Sequence, residues 1–133
     1  MLAALSARLQ AVLDALPLVP GLRVLEVGCG PGVLARAMAT RVAPGGSVLG
    51  IDRSARAIAQ ARAGSAAELA GTLSFRQVAV EDFALTDGEA PFDLIVAVRV
   101  GALDGRHPEA GVRAWPRLRA ALAPGGRVFV VRS

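Results

Sequence analysis

The stretch RVLEVGCGPGVLARAM, residues 23–38, runs from an apolar segment through three glycines into a helical pattern. A glycine-rich loop between a buried strand and a helix lets backbone amides approach a ligand closely, because glycine carries no Cβ. In the dinucleotide-binding pattern G-x-G-x-x-G, the third glycine would fall on Val33. Here the third glycine is Gly32, and Pro31 removes an amide donor from the loop. The spacing therefore argues against a loop that holds a pyrophosphate.

Two acidic residues flank this glycine loop. Glu26 lies two residues before Gly28, where its charge would repel a pyrophosphate and suit a ligand with an ammonium group. Asp52 lies twenty residues after Gly32, where a carboxylate can accept hydrogen bonds from both hydroxyls of a ribose. These features suit S-adenosylmethionine, which combines a ribose with cationic groups and has no phosphate. Either acid could instead serve the fold, Glu26 by bridging the loop backbone and Asp52 by capping a helix.

Apolar runs alternate with helical patterns along the rest of the chain. They predict five strands, at residues 22–28, 47–52, 73–80, 92–98 and 127–131. Helices are predicted over 33–43, 55–70 and 108–122, with Gly64 as a weak point in the second of them. The segment 81–91 is turn-like, 99–107 is a loop or a short turn of helix, and the two APGG segments at 43–46 and 123–126 each end a helix. This alternation predicts an α/β fold, a doubly wound parallel sheet with helices on both faces.

The composition narrows the class of protein. The chain has 133 residues, 53% of them apolar, which suits one domain with a real core. All fifteen basic residues are arginines, and they are scattered rather than clustered, so nucleic-acid binding is not expected. A single cysteine, Cys29, excludes an internal disulfide and a cysteine-rich metal site, and no metal is predicted.

The apolar N-terminal segment is predicted to be a packing helix. No stretch approaches the roughly 18 apolar residues of a membrane-spanning helix. The segment lacks a basic leader, and Arg8 and Asp14 interrupt it, so a signal peptide is not predicted and a cytoplasmic location is expected. Its apolar residues share one helical face, namely Leu2, Leu5, Leu9, Val12, Leu13 and Leu16.

The motif VLEVGCGPG followed by GIDRS resembles the first two motifs of the class I, Rossmann-like, S-adenosylmethionine-dependent methyltransferases. The segment LRAALAPGGRVFVV is similar to the fifth-strand region of that family, so the resemblance covers nearly the whole chain. It implies a single S-adenosylmethionine-binding domain over residues 1–133, a five-stranded sheet in the order 3-2-1-4-5, and methyl transfer to a small-molecule acceptor.

The resemblance also assigns candidate cofactor contacts residue by residue. It implies that the methionine portion is lined by Glu26, Gly28, Cys29, Gly30 and Gly32. It implies further that Asp52 holds the ribose and that Arg53 lies along the adenine face. The family's adenine-binding aspartate falls on Ala79, and the backbone amide that faces the ring falls on Val80. Either Glu81 or Asp82 replaces that aspartate from nearby, or the adenine is held by one contact fewer.

Candidate acceptor contacts follow the fourth strand, because ligands of doubly wound sheets bind beyond the carboxyl ends of the strands. Arg99, Asp104 and His107 lie in this segment. His107 is either a general base or simply a residue that enters the helix at Pro108, and the second interpretation is preferred. No catalytic residue is assigned, and Cys29 is interpreted as a packing residue rather than a nucleophile.

Three functional hypotheses follow from these observations. The first is an active small-molecule methyltransferase, and the second is a cofactor-binding module that has no activity of its own and assists or regulates a partner. Ala79 favours the second, as does the end of the sequence at Ser133, before the antiparallel hairpin with which the family generally continues. The apolar edge strand VFVV then predicts a homodimer through this edge or a neighbouring face. The third is a nicotinamide-dependent oxidoreductase, which Pro31, Val33 and Glu26 all oppose.

Overall fold

Five parallel strands form one sheet in the order β3-β2-β1-β4-β5 in the computed structural model, which describes residues 5–132. The strands are β1 (Arg23–Val27), β2 (Ser47–Asp52), β3 (Leu73–Gln77), β4 (Phe92–Val98) and β5 (Leu122–Val131). The helices are α1 (Ala7–Ala15), α2 (Val33–Val42), α3 (Ala55–Ala63), α4 (Gly101–Asp104) and α5 (Pro108–Ala121). The predicted α/β fold and strand order are confirmed, and α4 shows that segment 99–107 contains a short turn of helix.

The sheet is covered on both faces, which explains why its central strands are almost continuously apolar. On one face, buried residues of α1, α2 and α3 pack against alternate strand residues such as Val24 and Val48. On the other face, α4 and α5 pack against the intervening residues, among them Leu25 and Leu49. Because side chains alternate along a strand, Glu26 belongs to the face that α2 covers. The buried carboxylate is therefore set by the same alternation that builds the core.

The N-terminal helix packs as predicted, with Leu13 and Leu16 buried in the same core cluster as α2. Leu5, Leu9 and Val12 pack against that cluster and are partly buried, whereas Leu2 lies outside the described residues. The helix begins after Ser6, whose hydroxyl accepts a hydrogen bond of 3.1 Å from the amide of Leu9.

The helix predicted over 55–70 is shorter than the pattern indicates. It begins after Ser54, whose hydroxyl accepts a hydrogen bond of 3.1 Å from the amide of Ala57. It ends at Ala63, with Gly64 as the C-cap, and only a single 3₁₀ turn, Ala67–Leu69, follows. The prediction of one continuous helix was wrong, because Gly64 ends this helix rather than weakening its middle.

The third strand also ends earlier than predicted. It was expected over 73–80, but its last residue is Gln77, which is paired with Asp52 at the end of β2. In the part of the chain that the structure describes, β3 pairs only with β2, so no strand is available to pair with the residues that follow. The chain instead forms a 3₁₀ turn at Val80–Asp82, and this turn lies beside the carboxyl end of β2.

The second APGG segment does not separate α5 from β5, and that prediction was wrong. The strand begins at Leu122, which pairs with Phe92, and the register then shifts before Arg127 pairs with Leu94. Residues 123–126 are therefore an irregularity within the strand rather than a helix stop. Because β4 is the only strand that β5 pairs with among residues 5–132, the homodimer through this edge stays a prediction.

A phenylalanine ring fixes the packing beneath the glycine loop. The ring of Phe75 on β3 covers Gly50 on β2, and a Cβ built on Gly50 would lie 2.8 Å from its Cδ1 and 3.0 Å from the Cβ of Cys29. The same ring reaches Gly32, where an added Cβ would lie 2.9 Å from its Cζ. Two glycines therefore leave the space that one aromatic ring fills, and this contact joins β3 to the loop.

Gly50→Ala is expected to destabilise the protein by about 1–3 kcal/mol, because the new methyl group must displace the Phe75 ring in a packed core. Gly71→Ala is the matched control, since a Cβ at Gly71 meets nothing within 4 Å. Urea unfolding of the two variants measures the difference. Equal free energies of unfolding for both variants would contradict the role assigned to Gly50.

Candidate functional site

A cavity of about 750 Å³ lies at the carboxyl ends of β1, β2 and β4. Its volume is in the range of sites for small molecules and cofactors. The structure brings together seven of the predicted site residues in its lining, namely Gly28, Asp52, Arg53, Val80, Glu81, Arg99 and His107. Five others lie outside this lining, namely Glu26, Cys29, Gly30, Gly32 and Asp104.

The glycine loop turns sharply between β1 and α2. Gly28, Gly30 and Gly32 have φ values of 68°, 54° and 84°, a left-handed region that favours glycine. The amide of Cys29 donates a 2.9 Å hydrogen bond to the carbonyl oxygen of Ile51, and the amide of Gly32 donates one of 3.1 Å to the carbonyl oxygen of Cys29. The loop is thus folded back onto the end of β2 before α2 begins.

Asp52 ties this loop to the next turn of the chain. Its Oδ2 accepts a 2.9 Å hydrogen bond from the amide of Gly30, and its Oδ1 accepts one of 2.9 Å from the amide of Ser54. A carboxylate has about four lone-pair sites, so each oxygen keeps capacity for a further donor. Because Asp52 also lines the cavity, its structural bonds are compatible with binding a pair of ligand hydroxyls.

Glu26 lies beneath the loop, with only 4% of its surface exposed. Its Oε1 has no hydrogen-bond partner among the described residues. Burial raises the pKa of this carboxyl well above its usual value, and the nearby charge of Asp52 raises it further. The backbone amide of Ala35, in the first turn of α2, lowers the pKa and opposes this shift only in part. The protein therefore holds a buried acid next to the loop, and one of its oxygens has no hydrogen-bond partner among the described residues. A positive charge placed nearby would stabilise the ionised form of this acid.

Cys29 is a packing residue in this structure. Its side chain is buried in the same cluster as α2, and burial, with the charges of Glu26 and Asp52, raises the pKa of its thiol to about 12. A thiol with so high a pKa is protonated near neutral pH and is a weak nucleophile.

The turn after β3 supplies a second part of the cavity wall. The amide of Val78 donates a 3.0 Å hydrogen bond to the carbonyl oxygen of Asp52, which anchors this turn to the end of β2. Ala79, Val80 and Glu81 line the cavity, whereas Asp82 is exposed, lies outside the lining and pairs with Arg113 at 3.5 Å. Of the two acids considered as replacements for an aspartate at position 79, only Glu81 is therefore in the cavity lining.

The segment after β4 forms the remaining wall. The side chain of Val100 lies against the loop, since a Cβ built on Gly28 would be 3.0 Å from its Cγ2. The ring of His107 packs over Gly101, and the amide of His107 donates a 2.9 Å hydrogen bond to the carbonyl oxygen of Gly101. His107 precedes α5 without capping it through its side chain, and its exposed position in the lining leaves it available to a ligand.

Asp104 serves the fold of this segment. It is 7% exposed, and its two oxygens accept hydrogen bonds of 3.0 and 2.8 Å from Nε of Arg106. Burial raises the pKa of Asp104, but the backbone and side-chain hydrogen bonds from Arg106 outweigh it and hold the pKa below its usual value. Its carboxylate is therefore already paired.

Sequence reasoning missed seven lining residues on this side, namely Val100, Gly101, Ala102, Arg106, Pro108, Glu109 and Ala110. The signal that could have found the last three is Pro108, because a proline at the first position of a helix fixes where its first turn lies. Because that turn follows β4 in the chain, it is expected to lie near the carboxyl ends of the strands.

The fold and this cavity define a nucleotide-type site in a doubly wound α/β domain. The methyltransferase domain family matches residues 18–132, which is most of the chain. The chain therefore belongs to the methyltransferase domain family, within the class I S-adenosylmethionine-dependent methyltransferases, as its motifs predicted.

Named relatives agree with this membership. The chain is 38% identical over 122 residues to a ubiquinone biosynthesis O-methyltransferase of Alkalilimnicola ehrlichii, covering 92% of this chain and 46% of that protein. It is 38% identical over 115 residues to a trans-aconitate 2-methyltransferase of Paracidovorax citrulli, covering 86% of this chain and 40% of that protein. The chain thus spans less than half the length of these relatives.

Solved structures show the same fold. An S-adenosylmethionine-dependent methyltransferase of Mesorhizobium loti superimposes with a TM-score of 0.73 and 27% sequence identity, covering 94% of this chain and 53% of that one. Among residues 5–132, no helix has the length and apolar character needed to cross a membrane, and no group of three or more potential ligand side chains is placed to hold a metal ion. The cytoplasmic location stays a prediction.

The melting temperature of Glu26→Gln, relative to that of the native protein, is expected to increase as the pH rises above 4.5, the ordinary pKa of a glutamate. The raised pKa in the folded state means that the unfolded chain loses its proton first, so the native protein loses stability through this group as the pH rises. A glutamine does not titrate and avoids this loss. Melting temperatures across the pH range measure the difference between variant and native protein.

Glu68→Gln is the control for this measurement, because Glu68 is exposed in the 3₁₀ turn after α3. Its difference from the native protein is expected to stay nearly constant with pH. A difference for Glu26→Gln that is flat, or that falls as the pH rises, would show that the buried acid is not destabilised by ionisation.

Proposed function

We propose that this chain binds S-adenosylmethionine in the cavity and transfers its methyl group to a small-molecule acceptor. The observation that carries the proposal is Asp52, whose carboxylate holds the glycine loop and still faces the cavity with unused acceptor capacity. Membership of the methyltransferase family supports the same reaction. We further infer that one such domain accounts for residues 1–133.

The nucleoside end of the ligand fits the wall made by β2 and the turn after β3. Asp52 would accept hydrogen bonds from the ribose hydroxyls, and the exposed Arg53 beside it would lie along the adenine face. The backbone amide of Val80 would face the ring. Position 79 carries an alanine where the family has an aspartate. The half-buried Glu81 would replace that aspartate by accepting a hydrogen bond from the adenine amino group.

The methionine end of the ligand fits the glycine loop. Gly28 lines the cavity, while Gly30 and Gly32 shape the turn, so backbone can approach the ligand without a Cβ in between. Glu26 is beneath the loop rather than in the lining, so it would favour the ligand's ammonium and sulfonium charges through the loop or a bridging water. The orphaned Oε1 of Glu26 supports a cationic ligand at this end.

The chain itself would contribute to the reaction by holding the methyl donor and the acceptor in position. Bound S-adenosylmethionine would supply an activated methyl group, carried on its sulfonium, for transfer to the acceptor. Arg99 and His107 line the acceptor side of the cavity, beyond the glycine loop. These residues would bind and orient the acceptor, and holding two reactants in line is a large part of catalysis for such a donor.

The acceptor is proposed to be a small molecule. The named relatives support this class, since one is a ubiquinone biosynthesis O-methyltransferase and another a trans-aconitate 2-methyltransferase. The names of these relatives favour an active methyltransferase over a binding module without activity.

Calorimetric titration is expected to show that S-adenosylhomocysteine binds and that NAD does not. Asp52→Asn is expected to weaken the binding of S-adenosylhomocysteine by about 10- to 100-fold, because hydrogen bonds to a charged acceptor are lost. Asp87→Asn is the matched control, since Asp87 is exposed in a turn outside the cavity lining.

Two results would overturn the proposal. One is that the native protein does not bind S-adenosylhomocysteine at millimolar concentration. The other is that the native protein binds NAD as tightly as it binds S-adenosylhomocysteine. Melting temperatures of both aspartate variants separate a lost ligand contact from a loop that has lost its tie to Gly30.

A further inference from the structure

Arg99 has an unusual backbone conformation for its residue type. Its φ is 58°, and it is the only non-glycine residue with positive φ in the described part of the chain. The left-handed region is unfavourable for residues that carry a Cβ, and a glycine would occupy this position more readily. Strain of this kind is concentrated at sites where a side chain has to be held in a particular place.

The neighbouring structure holds Arg99 in this conformation at both of its peptide groups. Its amide donates a 2.7 Å hydrogen bond to the carbonyl oxygen of Val131, the last residue of β5. Its carbonyl oxygen accepts a 2.8 Å hydrogen bond from Nη2 of Arg106, which the buried Asp104 holds in turn through Nε. The paired Asp104 and Arg106 thus act as a support for the backbone of Arg99.

The side chain that this support presents lines the cavity on the acceptor side. The next residue, Val100, lies against Gly28, so Arg99 directly precedes a residue that contacts the glycine loop. Among residues 5–132, no carboxylate lies within 4.0 Å of the guanidinium of Arg99. Arg106 by contrast is already bound to Asp104. Arg99, an exposed residue of the cavity lining, therefore offers an uncommitted planar donor to a ligand.

The surrounding charges indicate which anion would fit. Glu109 also lines this side, but it lies in the first turn of α5, where the helix dipole accommodates a negative charge. On this side of the cavity, one uncommitted guanidinium with the carboxylate of Glu109 in the same lining suits a singly charged anion better than a doubly charged phosphate. The fork of an arginine matches the two oxygens of a carboxylate.

We propose that Arg99 binds a carboxylate group of the methyl acceptor, so that this site selects carboxylate-bearing small molecules. The proposal rests on the proposed function, since it assigns the acceptor side of the same cavity. The carboxylate anchors the acceptor, and another atom of the molecule faces the methyl group. Arg99 is a specificity-determining residue in this account, and Asp104 and Arg106 are positioning residues that act through it.

The test uses the full chain saturated with S-adenosylhomocysteine and titrated with matched acid and amide pairs. The probes are benzoate and benzamide, hexanoate and hexanamide, and cinnamate and cinnamamide, with phenylphosphonate as a doubly charged comparison. At least one acid is expected to bind about tenfold or more tightly than its amide, because a charge-assisted pair is lost in the amide. Phenylphosphonate is expected to bind no more tightly than benzoate.

Arg99→Gln is expected to abolish the preference for the acid, whereas Arg117→Gln is expected to keep it. Arg117 is the matched control because it is exposed on α5 and lies outside the cavity lining. Arg99→Gly is expected to lose the preference and to raise the melting temperature, since glycine relieves the left-handed strain. A purely structural role for Arg99 would lower the melting temperature instead.

The outcomes separate this inference from the proposed function. Failure of the native protein to bind S-adenosylhomocysteine overturns the proposed function, and the Arg99 assignment with it. Retained binding of S-adenosylhomocysteine, with no acid bound more tightly than its amide at millimolar concentration, overturns the Arg99 assignment alone. An acid preference that survives in Arg99→Gln, or tighter binding of phenylphosphonate than of benzoate, also overturns it.

Discussion

The carboxylate of Asp52 is the contact on which the site depends. Its two oxygens bind the amides of Gly30 and Ser54, so one side chain fixes the glycine loop and the start of the next helix together. The ring of Phe75 supports the same region from below by filling the space over Gly50 and Gly32. A short loop with three left-handed glycines is thereby fixed by contacts within the protein itself. Such preorganisation lowers the entropy that ligand binding must overcome.

The overall fold could be predicted from the sequence because the signals that define it are local. Apolar runs and helix breaks place most elements to within a few residues, and burial on both faces indicates a parallel sheet. The misplaced boundaries depend on partners distant in the sequence. β3 stops at Gln77 because β2 ends opposite it, and β5 starts at Leu122 because Phe92 offers a partner before the glycines. No local pattern contains that information.

The candidate site was predictable to a similar extent and for a similar reason. Motif spacing identified Asp52 and Gly28, which the structure places in one cavity. It could not show that Glu26 is beneath the loop with an unpaired oxygen, since burial depends on how Gly50 and Phe75 pack on neighbouring strands. Nor could it show the left-handed backbone of Arg99, which hydrogen bonds from β5 and from Arg106 maintain. Sequence patterns thus find the glycine-loop side of the cavity more readily than the side that follows β4.

The central claim is that the glycine loop and Asp52 form a site for an adenosyl ligand that carries a positive charge rather than a pyrophosphate. A nuclear magnetic resonance titration of isotope-labelled protein with S-adenosylhomocysteine tests it most directly. The account predicts saturable shifts that are largest for the backbone amides of residues 28–30, 32, 52–54 and 79–81. Saturable shifts confined to other parts of the chain, or no shifts at millimolar ligand, would contradict it.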